Sequence, residues 1–193
     1  MTALPHQYHT PASYLEFERA SEEKHEFLAG EIFAMAGASE RHNLIMGNTL
    51  ASLHGQLRGR DCRVYPSDMR VKIAATGLYT YPDISVVCGG SEFEDDQRDT
   101  LLNPAVIIEV LSPTTEAYDR GKKFQHYRTL ASLQEYLLIA QDVPRIEHYV
   151  RQPDNQWLLS DLGGGSGAVH LPSIGCALAL VDVYEGVAPD EGR

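Results

Sequence analysis

Apolar and polar residues follow two different periods along the chain, and these periods predict both helices and strands. Helical spacing of apolar residues appears after Thr10 and after Ser39, and both residues are typical N-caps. The first helix should run to about Glu23, and Gly59 should end the second. Short apolar and β-branched runs, bounded by glycine or proline, predict strands. The predicted strands are 62–65, 69–74, 81–88, 105–111 and 135–140, with hairpins at 26–35 and 145–161.

Further features complete the predicted order of elements. Ser112 and Pro113 break the strand at 105–111 and lead into a helix that runs through Asp119 to Leu130. A short helix is predicted at 178–184. The order of helix, three-strand sheet, helix and strand, with added hairpins, predicts an α/β (α+β) fold in which helices flank a mixed β-sheet. A length of 193 residues predicts one domain, 1–193.

The composition is typical of a globular protein that does not enter a membrane. No apolar run is long enough to span a bilayer, and residues 1–5 lack the charged and apolar regions of a secretory signal. The three cysteines, Cys62, Cys88 and Cys176, have no metal-like spacing. We therefore expect reduced thiols, a cytoplasmic location and no membrane partner.

The charge balance bears on the choice of partner. The chain carries 27 acidic and 16 basic residues, which gives a formal net charge of −11. Nucleic-acid-binding proteins usually carry a basic excess, so this balance counts against tight non-specific binding to a duplex. Basic residues still cluster around one predicted helix, at Arg120, Lys122, Lys123 and Arg128. We expect this cluster to line the mouth of any cleft that accepts a phosphate group.

Two acidic residues lie within apolar segments that are predicted to be buried strands. Asp83 follows Pro82 at the start of one segment, and Glu109 lies inside the apolar run 106–111. A buried carboxylate is costly unless it is paired with a cation. Because both acids lie near the ends of neighbouring strands, they predict a site for a hard divalent cation. Two alternatives stay open: Glu109 forms a structural ion pair with Lys123 or Arg120, and Asp83 caps a turn.

Three residues of the next helix share one face. Asp119, Lys123 and Tyr127 are spaced four residues apart, and their helix directly follows the Glu109 strand. This face can point back at the strand ends, which would place a lysine beside the two acids. The alternative is a solvated Asp–Lys pair with Tyr127 packed below it. His42, near the start of the second helix, is by itself more typical of a cap or an ordinary polar residue.

Several longer motifs resemble one known family. Pro82-Asp83 and Glu109, followed by a basic residue, look like the PD-(D/E)XK nuclease superfamily. More closely, the chain resembles the Uma2 family of restriction-endonuclease-like proteins, and the similarity runs almost end to end. The resemblance implies a restriction-endonuclease-like core. It is carried by segments 24–32, 36–39, 41–43, 67–71, 81–83, 109–115, 119–123 and 133–136.

The resemblance also implies a metal site. Asp83, Glu109 and the carbonyl of Val110 would hold one or two Mg²⁺ (or Mn²⁺) ions. The superfamily lysine normally lies two residues after the glutamate, and this chain has Leu111 there. Lys123 from the following helix is therefore expected to take the place of that lysine.

Other residues would support this site. Lys122 is the second choice for the catalytic lysine, and Asp119 and Tyr127 would hold the lysine in position. The superfamily often has a further glutamate on its first core helix. In this chain the expected auxiliary group is Glu31 or His42. The other candidates on or just before that helix are Glu26, Glu40 and Asn48.

The activity implied is metal-dependent endonucleolytic hydrolysis of phosphodiester bonds in nucleic acid, with DNA as the expected substrate. Lys123 would orient the attacking water or stabilise the charge that develops at the phosphate. The alternative is a catalytically idle nuclease-fold module that binds nucleic acid or a protein partner, which the net charge favours. We also expect a homodimer, because cutting two strands needs two sites and because the apolar strands 136–140 and 146–150 would add exposed area.

Overall fold

The computed structural model describes residues 8–188, which form a six-stranded, a five-stranded and a two-stranded β-sheet with helices packed against them. The helices are α1 (Pro11–Ala20), α2 (Glu40–Leu57), α3 (Glu116–Tyr118), α4 (Phe124–Tyr127) and α5 (Leu180–Val183), and a π-helical segment, Asp119–Lys123, joins α3 to α4. None of these helices has the length and apolar character that crossing a membrane requires. The strands are β1 (His25–Leu28), β2 (Glu31–Ala34), β3 (Cys62–Pro66), β4 (Arg70–Ile73), β5 (Leu78–Thr80), β6 (Ile84–Cys88), β7 (Thr100–Leu101), β8 (Val106–Val110), β9 (Glu135–Ile139), β10 (Arg145–Arg151), β11 (Trp157–Gly163), β12 (Ala168–Leu171) and β13 (Cys176–Ala179).

The six-stranded sheet organises the molecule. Its strand order is β11-β10-β9-β8-β6-β3, and only β8 and β9 run parallel among its neighbours within residues 8–188. The central strands β8 and β9 are buried along their whole length, which explains their nearly continuous apolar sequence. The five-stranded sheet has the order β2-β1-β5-β4-β7. The mixed sheet with flanking helices and added hairpins agrees with the predicted α/β (α+β) fold.

The core lies on both faces of the six-stranded sheet. On one face, Ile45 and Leu53 of α2 pack with Ile108 of β8, and β13 and α5 close the same side. On the other face, Ile107 packs with Tyr127 of α4 and with residues of the five-stranded sheet. Alternate residues of β8 therefore belong to different halves of the core, as the two-residue period of a strand requires.

The predicted N-caps and the first hairpin are confirmed. The side chains of Thr10 and Ser39 each accept a backbone N–H from the first turn of α1 and α2. The β1–β2 hairpin turns at Ala29 and Gly30, both of which have positive φ. Helix α1 ends at Ala20, three residues earlier than the predicted end.

Two predicted boundaries are wrong. The segment 178–184 is not one helix, because its first residues belong to β13, which pairs with β12, and α5 begins only at Leu180. The alternating burial of Cys176 and Leu178 in β13 is the strand period that the prediction missed. The segment 81–88 begins as a strand only at Ile84, since Pro82 separates β5 from β6.

The strands that were expected to expose apolar area do not do so. Residues 136–140 are buried, because β9 lies in the middle of the six-stranded sheet. Residues 146–150 are buried or half-buried, because β10 lies between β9 and β11 and its side chains, such as Ile146 and Tyr149, pack into opposite halves of the core. The sequence prediction failed here because it could not place β11 outside β10.

The cysteines also differ from the prediction. Cys62 and Cys88 lie directly opposite each other on β3 and β6 and form a disulfide bond. The expectation of reduced thiols is therefore wrong for this pair, and holds for Cys176, which is free and buried. Spacing along the chain could not reveal the pairing, because it depends on the register between two strands.

Candidate active site

The pairing of β6 with β8 brings the two strand acids together. Ile84 lies opposite Ile108 in this antiparallel pair, so Asp83, just before β6, lies next to Glu109. The backbone N–H of Asp83 donates to Oε2 of Glu109 at 3.3 Å. The structure thus places the two carboxylates that the sequence singled out side by side, where β6 begins and β8 ends.

The Asp83 carboxylate is held from two sides. Its Oδ2 accepts the backbone N–H of Val110 at 2.7 Å and lies 3.1 Å from Nε2 of His42. His42 reaches this position from the first turn of α2, whose N-cap is Ser39. These contacts fix the orientation of the carboxylate, so the turn-cap alternative for Asp83 does not describe the observed geometry.

Lys123 lies inside the same site. Its Nζ is 2.9 Å from Oε1 of Glu109, 3.4 Å from Oδ1 of Asp119 and 3.6 Å from Oε1 of Glu26. Lys123 is only 5% exposed. The ion pair with Glu109 that the sequence left open is therefore present, and it lies within the cluster of acids rather than apart from it.

The helix that carries Lys123 contributes further contacts. The hydroxyl of Tyr127 donates to Oε1 of Glu109 at 2.8 Å, and that of Tyr136 donates to the backbone carbonyl of Asp119 at 3.1 Å. Asp119 and Lys123 both lie in the π-helical segment and are both buried. Such π-helical turns occur often at functional sites. Asp119, Lys123 and Tyr127 share one inward face, as their spacing predicted.

Glu26 is a site residue that the sequence did not select. Its Oε1 accepts the hydroxyl of Thr80, and its Oε2 accepts that of Tyr118 at 3.2 Å. The auxiliary candidate Glu31 lies opposite Leu28 on the outer strand of the five-stranded sheet. Glu26, and not Glu31, is the hairpin carboxylate beside Lys123. The signal that could have identified it is a lone acid in the short strand His25–Leu28, between two polar turns.

Acidic groups outnumber basic groups in this cluster. Burial raises the pKa of Glu109 above its ordinary value, and the neighbouring carboxylates of Asp119 and Asp83 raise it further against the opposing effect of Lys123. Burial also raises the pKa of Asp119. Burial alone would lower the pKa of Lys123, but Glu109, Asp119 and Glu26 outweigh it and hold that pKa well above the usual range. Lys123 is therefore charged, and the carboxyl groups of the cluster outnumber its one ammonium group.

The donor set fits a hard cation bound with few protein ligands. Oδ1 of Asp119 is buried and has no hydrogen-bond partner among the described residues, although Lys123 lies nearby. No group of three or more His, Cys, Asp or Glu side chains within residues 8–188 forms a metal cage. Mg²⁺ needs no such cage, since it takes one or two carboxylates and keeps several waters. The pair Asp83 and Glu109 therefore fits Mg²⁺ or Mn²⁺ better than a caged metal such as Zn²⁺.

The basic cluster is only partly available to a phosphate. The guanidinium of Arg120 forms ion pairs with Glu116 at 2.8 Å and with Glu147, so its charge is neutralised inside the protein. The charge of Arg120 is therefore largely compensated, while its position at the cleft mouth stays a prediction. Lys122 and Arg128 are exposed.

The raised pKa of Glu109 predicts how stability depends on pH without metal. Glu109 binds its proton more tightly in the folded chain than in the unfolded chain, so its contribution to stability is present at low pH and is lost as pH rises above 4.5. Glu109→Gln cannot titrate. In EDTA, the melting temperature of this variant relative to wild type should increase between about pH 5 and about pH 9. A difference that stays constant over this range would contradict the raised pKa.

Comparison with known proteins identifies the family. A family model described as "Uma2: Putative restriction endonuclease" matches residues 11–180 of the chain. The chain belongs to the Uma2 family. The family predicted from the sequence is therefore confirmed, and the site described above lies inside the matched residues.

Individual relatives support the same assignment. Two proteins of Synechocystis sp. (strain ATCC 27184 / PCC 6803 / Kazusa) are similar to this Uma2 chain. "Uncharacterized protein sll1609" is 41% identical over 161 residues, which is 83% of this chain and 91% of that protein. "Uncharacterized protein slr1290" is 38% identical over 179 residues, which is 93% of both chains.

A solved structure shares the fold. The crystal structure described as "a putative nuclease belonging to DUF820 from Anabaena variabilis ATCC 29413" matches 92% of this chain and 98% of its own, with a TM-score of 0.73. The sequence identity is 19%, so this match speaks for the fold alone. The restriction-endonuclease-like architecture predicted for the Uma2 chain is confirmed at that level.

Proposed function

We propose that this Uma2 chain is a metal-dependent endonuclease that hydrolyses phosphodiester bonds of nucleic acid, with DNA as the expected substrate. The observation that carries the proposal is the position of Lys123, whose ammonium lies 2.9 Å from Oε1 of Glu109. Glu109 in turn accepts the backbone N–H of Asp83. Two strand carboxylates and a buried lysine are the groups that metal-assisted hydrolysis uses. Membership of a family described as a restriction endonuclease supports the same chemistry.

The carboxylates of Asp83 and Glu109 and the carbonyl of Val110 would hold the metal, as Mg²⁺ or Mn²⁺. When bound, such an ion lowers the pKa of a coordinated water and stabilises negative charge on a phosphate oxygen. The excess of buried carboxyl groups over basic groups supports a cation at this place, as does Oδ1 of Asp119, which has no hydrogen bond and only the ion pair with Lys123 at 3.4 Å. The backbone N–H of Val110 donates to Oδ2 of Asp83, which holds these two proposed ligand residues next to each other.

The protein groups around the metal would orient the reactants. Lys123 can donate hydrogen bonds to an attacking water or to a phosphate oxygen, because its charge persists across the physiological pH range. Tyr127 and Asp119 hold Lys123 and Glu109 at their observed separation. His42 holds Asp83 from the side of α2. We assign Glu26 to positioning of Lys123, since the two lie 3.6 Å apart.

The proposal includes a homodimer and a cytoplasmic location. A dimer would bring two such sites to the two strands of a duplex. The cytoplasmic location stays a prediction from the sequence. The Cys62–Cys88 disulfide opposes it, because disulfides are rare in reducing compartments.

An idle module that binds nucleic acid or a protein partner is the competing function. The net charge of −11 and the neutralised guanidinium of Arg120 favour it. Both functions keep the fold and the family, and they differ in whether metal produces cleavage.

A cleavage assay tests the proposed activity. Supercoiled plasmid, linear duplex, single-stranded DNA and RNA are incubated with Mg²⁺ or Mn²⁺, with an Asp83→Asn protein as the matched control. We expect cleavage of DNA that requires metal and is absent with the control. If wild type binds metal and cleaves none of these substrates, the idle module replaces the nuclease. If the control cleaves equally, a contaminating nuclease is responsible.

Duplex binding should depend only weakly on salt. Two exposed cations, Lys122 and Arg128, remain from the basic cluster once Arg120 is paired internally. Each phosphate contact contributes about −0.9 to the slope of log K against the logarithm of the salt concentration, so two contacts give an expected slope of about −2. Fluorescence anisotropy with labelled duplex and the Asp83→Asn protein, which should not cleave, measures this slope. A slope steeper than about −5 would show that basic residues elsewhere contact the phosphates.

A further inference from the structure

Strand β11 is an edge without the usual protection. It is seven residues long and forms one end of the six-stranded sheet, and within residues 8–188 it pairs only with β10. One row of its backbone N–H and C=O groups is therefore left without a strand partner. Such an edge is a template for pairing with another chain.

The other sheet edges differ from β11 in ways that limit pairing. Strand β3, at the opposite end of the same sheet, is shorter, carries Arg63 and ends in Pro66. In the five-stranded sheet, the outer strands β2 and β7 have four and two residues. Strand β11 has no proline and no lysine. Its only charged residue, Asp161, is neutralised by Arg145 at 2.6 Å. Protection by charge, proline or short length is the normal device at a monomeric edge.

Apolar side chains are exposed on both faces of β11. Leu158 is 57% exposed and Leu159 is 49% exposed, and as successive residues of a strand they point to opposite faces. Leu158 lies opposite Val150, and Leu159 lies opposite Tyr149. A partner docked on one face of the sheet would leave one of these leucines in water. A strand added in the plane of the sheet covers both and also pairs the open backbone.

We infer that the occupant of this edge is β11 of a second copy of the chain, paired antiparallel about a two-fold axis through Ser160. Antiparallel pairing of a strand with itself is the isologous arrangement of a two-fold dimer, and it stops at two copies because each edge is used up. The register centred on Ser160 pairs all seven residues of the strand. This inference rests on the proposed homodimer and not on cleavage activity.

The side chains of β11 are compatible with this register. Leu158 of one copy lies opposite Leu162 of the other, which extends one half of the core across the axis. On the other face, Leu159 lies opposite Asp161 of the second copy, so the two Asp161 carboxylates do not oppose each other. Each Asp161 also keeps its own Arg145. Apolar cross-strand pairs stabilise a sheet, and like charges in direct opposition would destabilise it.

Solution mass with edge variants tests the interface. Light scattering at tens of micromolar should give twice 21.4 kDa for wild type and 21.4 kDa for the double variant Leu158→Lys/Leu159→Lys. Val181→Lys is the matched control, because Val181 is a similarly exposed apolar residue, 63% exposed, that belongs to α5 and not to β11. It should remain dimeric. A monomeric wild type, or a double variant that stays dimeric and folded, would overturn the inference.

Cross-linking tests the register even if the lysine variant does not fold. Ser160→Cys should give a covalent dimer with a short bismaleimide, and Ser166→Cys, in the loop after β11, should not. Cys62 and Cys88 are bonded to each other and Cys176 is buried, so the introduced thiol reacts alone. Equal cross-linking of both variants, or none with Ser160→Cys, would refute the register. Cleavage by the same preparations is measured separately, so a dimer without cleavage refutes only the nuclease, and cleavage by a monomer refutes only the interface.

Discussion

Lys123→Met should lower the free energy of unfolding by about 3–5 kcal/mol near neutral pH. Lys123 is buried, and its ammonium lies within 3.6 Å of carboxylate oxygens of Glu109, Asp119 and Glu26. Methionine keeps the length of the side chain and removes the charge, so three acids lose the cation that compensates them. Removing one partner of a buried ion pair costs more than the pair contributes, because the remaining charges stay buried.

The pH dependence of this loss separates charge from packing. The acids left without Lys123 can take up protons, so the loss should shrink as the pH falls toward about 4. Urea unfolding followed by circular dichroism in EDTA gives the free energies. Lys122→Met, at the exposed neighbouring position, should change stability by less than about 0.5 kcal/mol. A Lys123→Met protein as stable as the Lys122→Met protein would show that the lysine is not part of a coupled cluster.

The second large effect concerns catalysis. Asp83→Asn and Glu109→Gln should each reduce the rate of metal-dependent cleavage by at least about 100-fold. Loss of a group that only supports a ligand typically costs 10–100-fold, and a ligand itself should cost no less. Initial rates on the best substrate, at saturating Mg²⁺, measure the effect. Each variant is checked by circular dichroism for an intact fold.

Two hairpin acids provide a graded comparison. Glu26→Gln should reduce the rate by about 10-fold, because Glu26 lies beside Lys123 and contacts no predicted metal ligand. Glu31→Gln, on the outer strand of the same hairpin, should stay within about 2-fold of wild type. An effect of Glu31→Gln that exceeds that of Glu26→Gln would restore the original choice of auxiliary group and contradict the assignment of Glu26.

Local patterns were enough to predict the acid pair and the lysine. Asp83 and Glu109 stood out because each interrupts an apolar run, and burial makes an acid in such a run expensive. The spacing of Asp119, Lys123 and Tyr127 predicted a common face, although the π-helical turn within that segment was not foreseen. Those predictions depend on neighbours within a few residues, and the pairing of β6 with β8 brings the predicted residues together in the folded site.

Features that depend on distant pairing were not predictable from the sequence. Glu26 reaches Lys123 only because β1 pairs with β5, which brings Thr80 to the same place. The disulfide depends on the register of β3 against β6. The ion pair that compensates Arg120 forms because β10 places Glu147 beside it. In each case, the deciding contact joins residues more than about 25 positions apart, or elements whose order in the sheet the sequence does not encode locally.

The central claim is that Asp83 and Glu109 together bind a divalent cation. Isothermal titration calorimetry with Mn²⁺, in the absence of nucleic acid, tests it without relying on cleavage. We predict saturable binding of about one or two ions per chain for wild type, and loss of that binding in both Asp83→Asn and Glu109→Gln. Wild-type protein that binds no Mn²⁺, or variants that bind it with unchanged affinity, would contradict the claim.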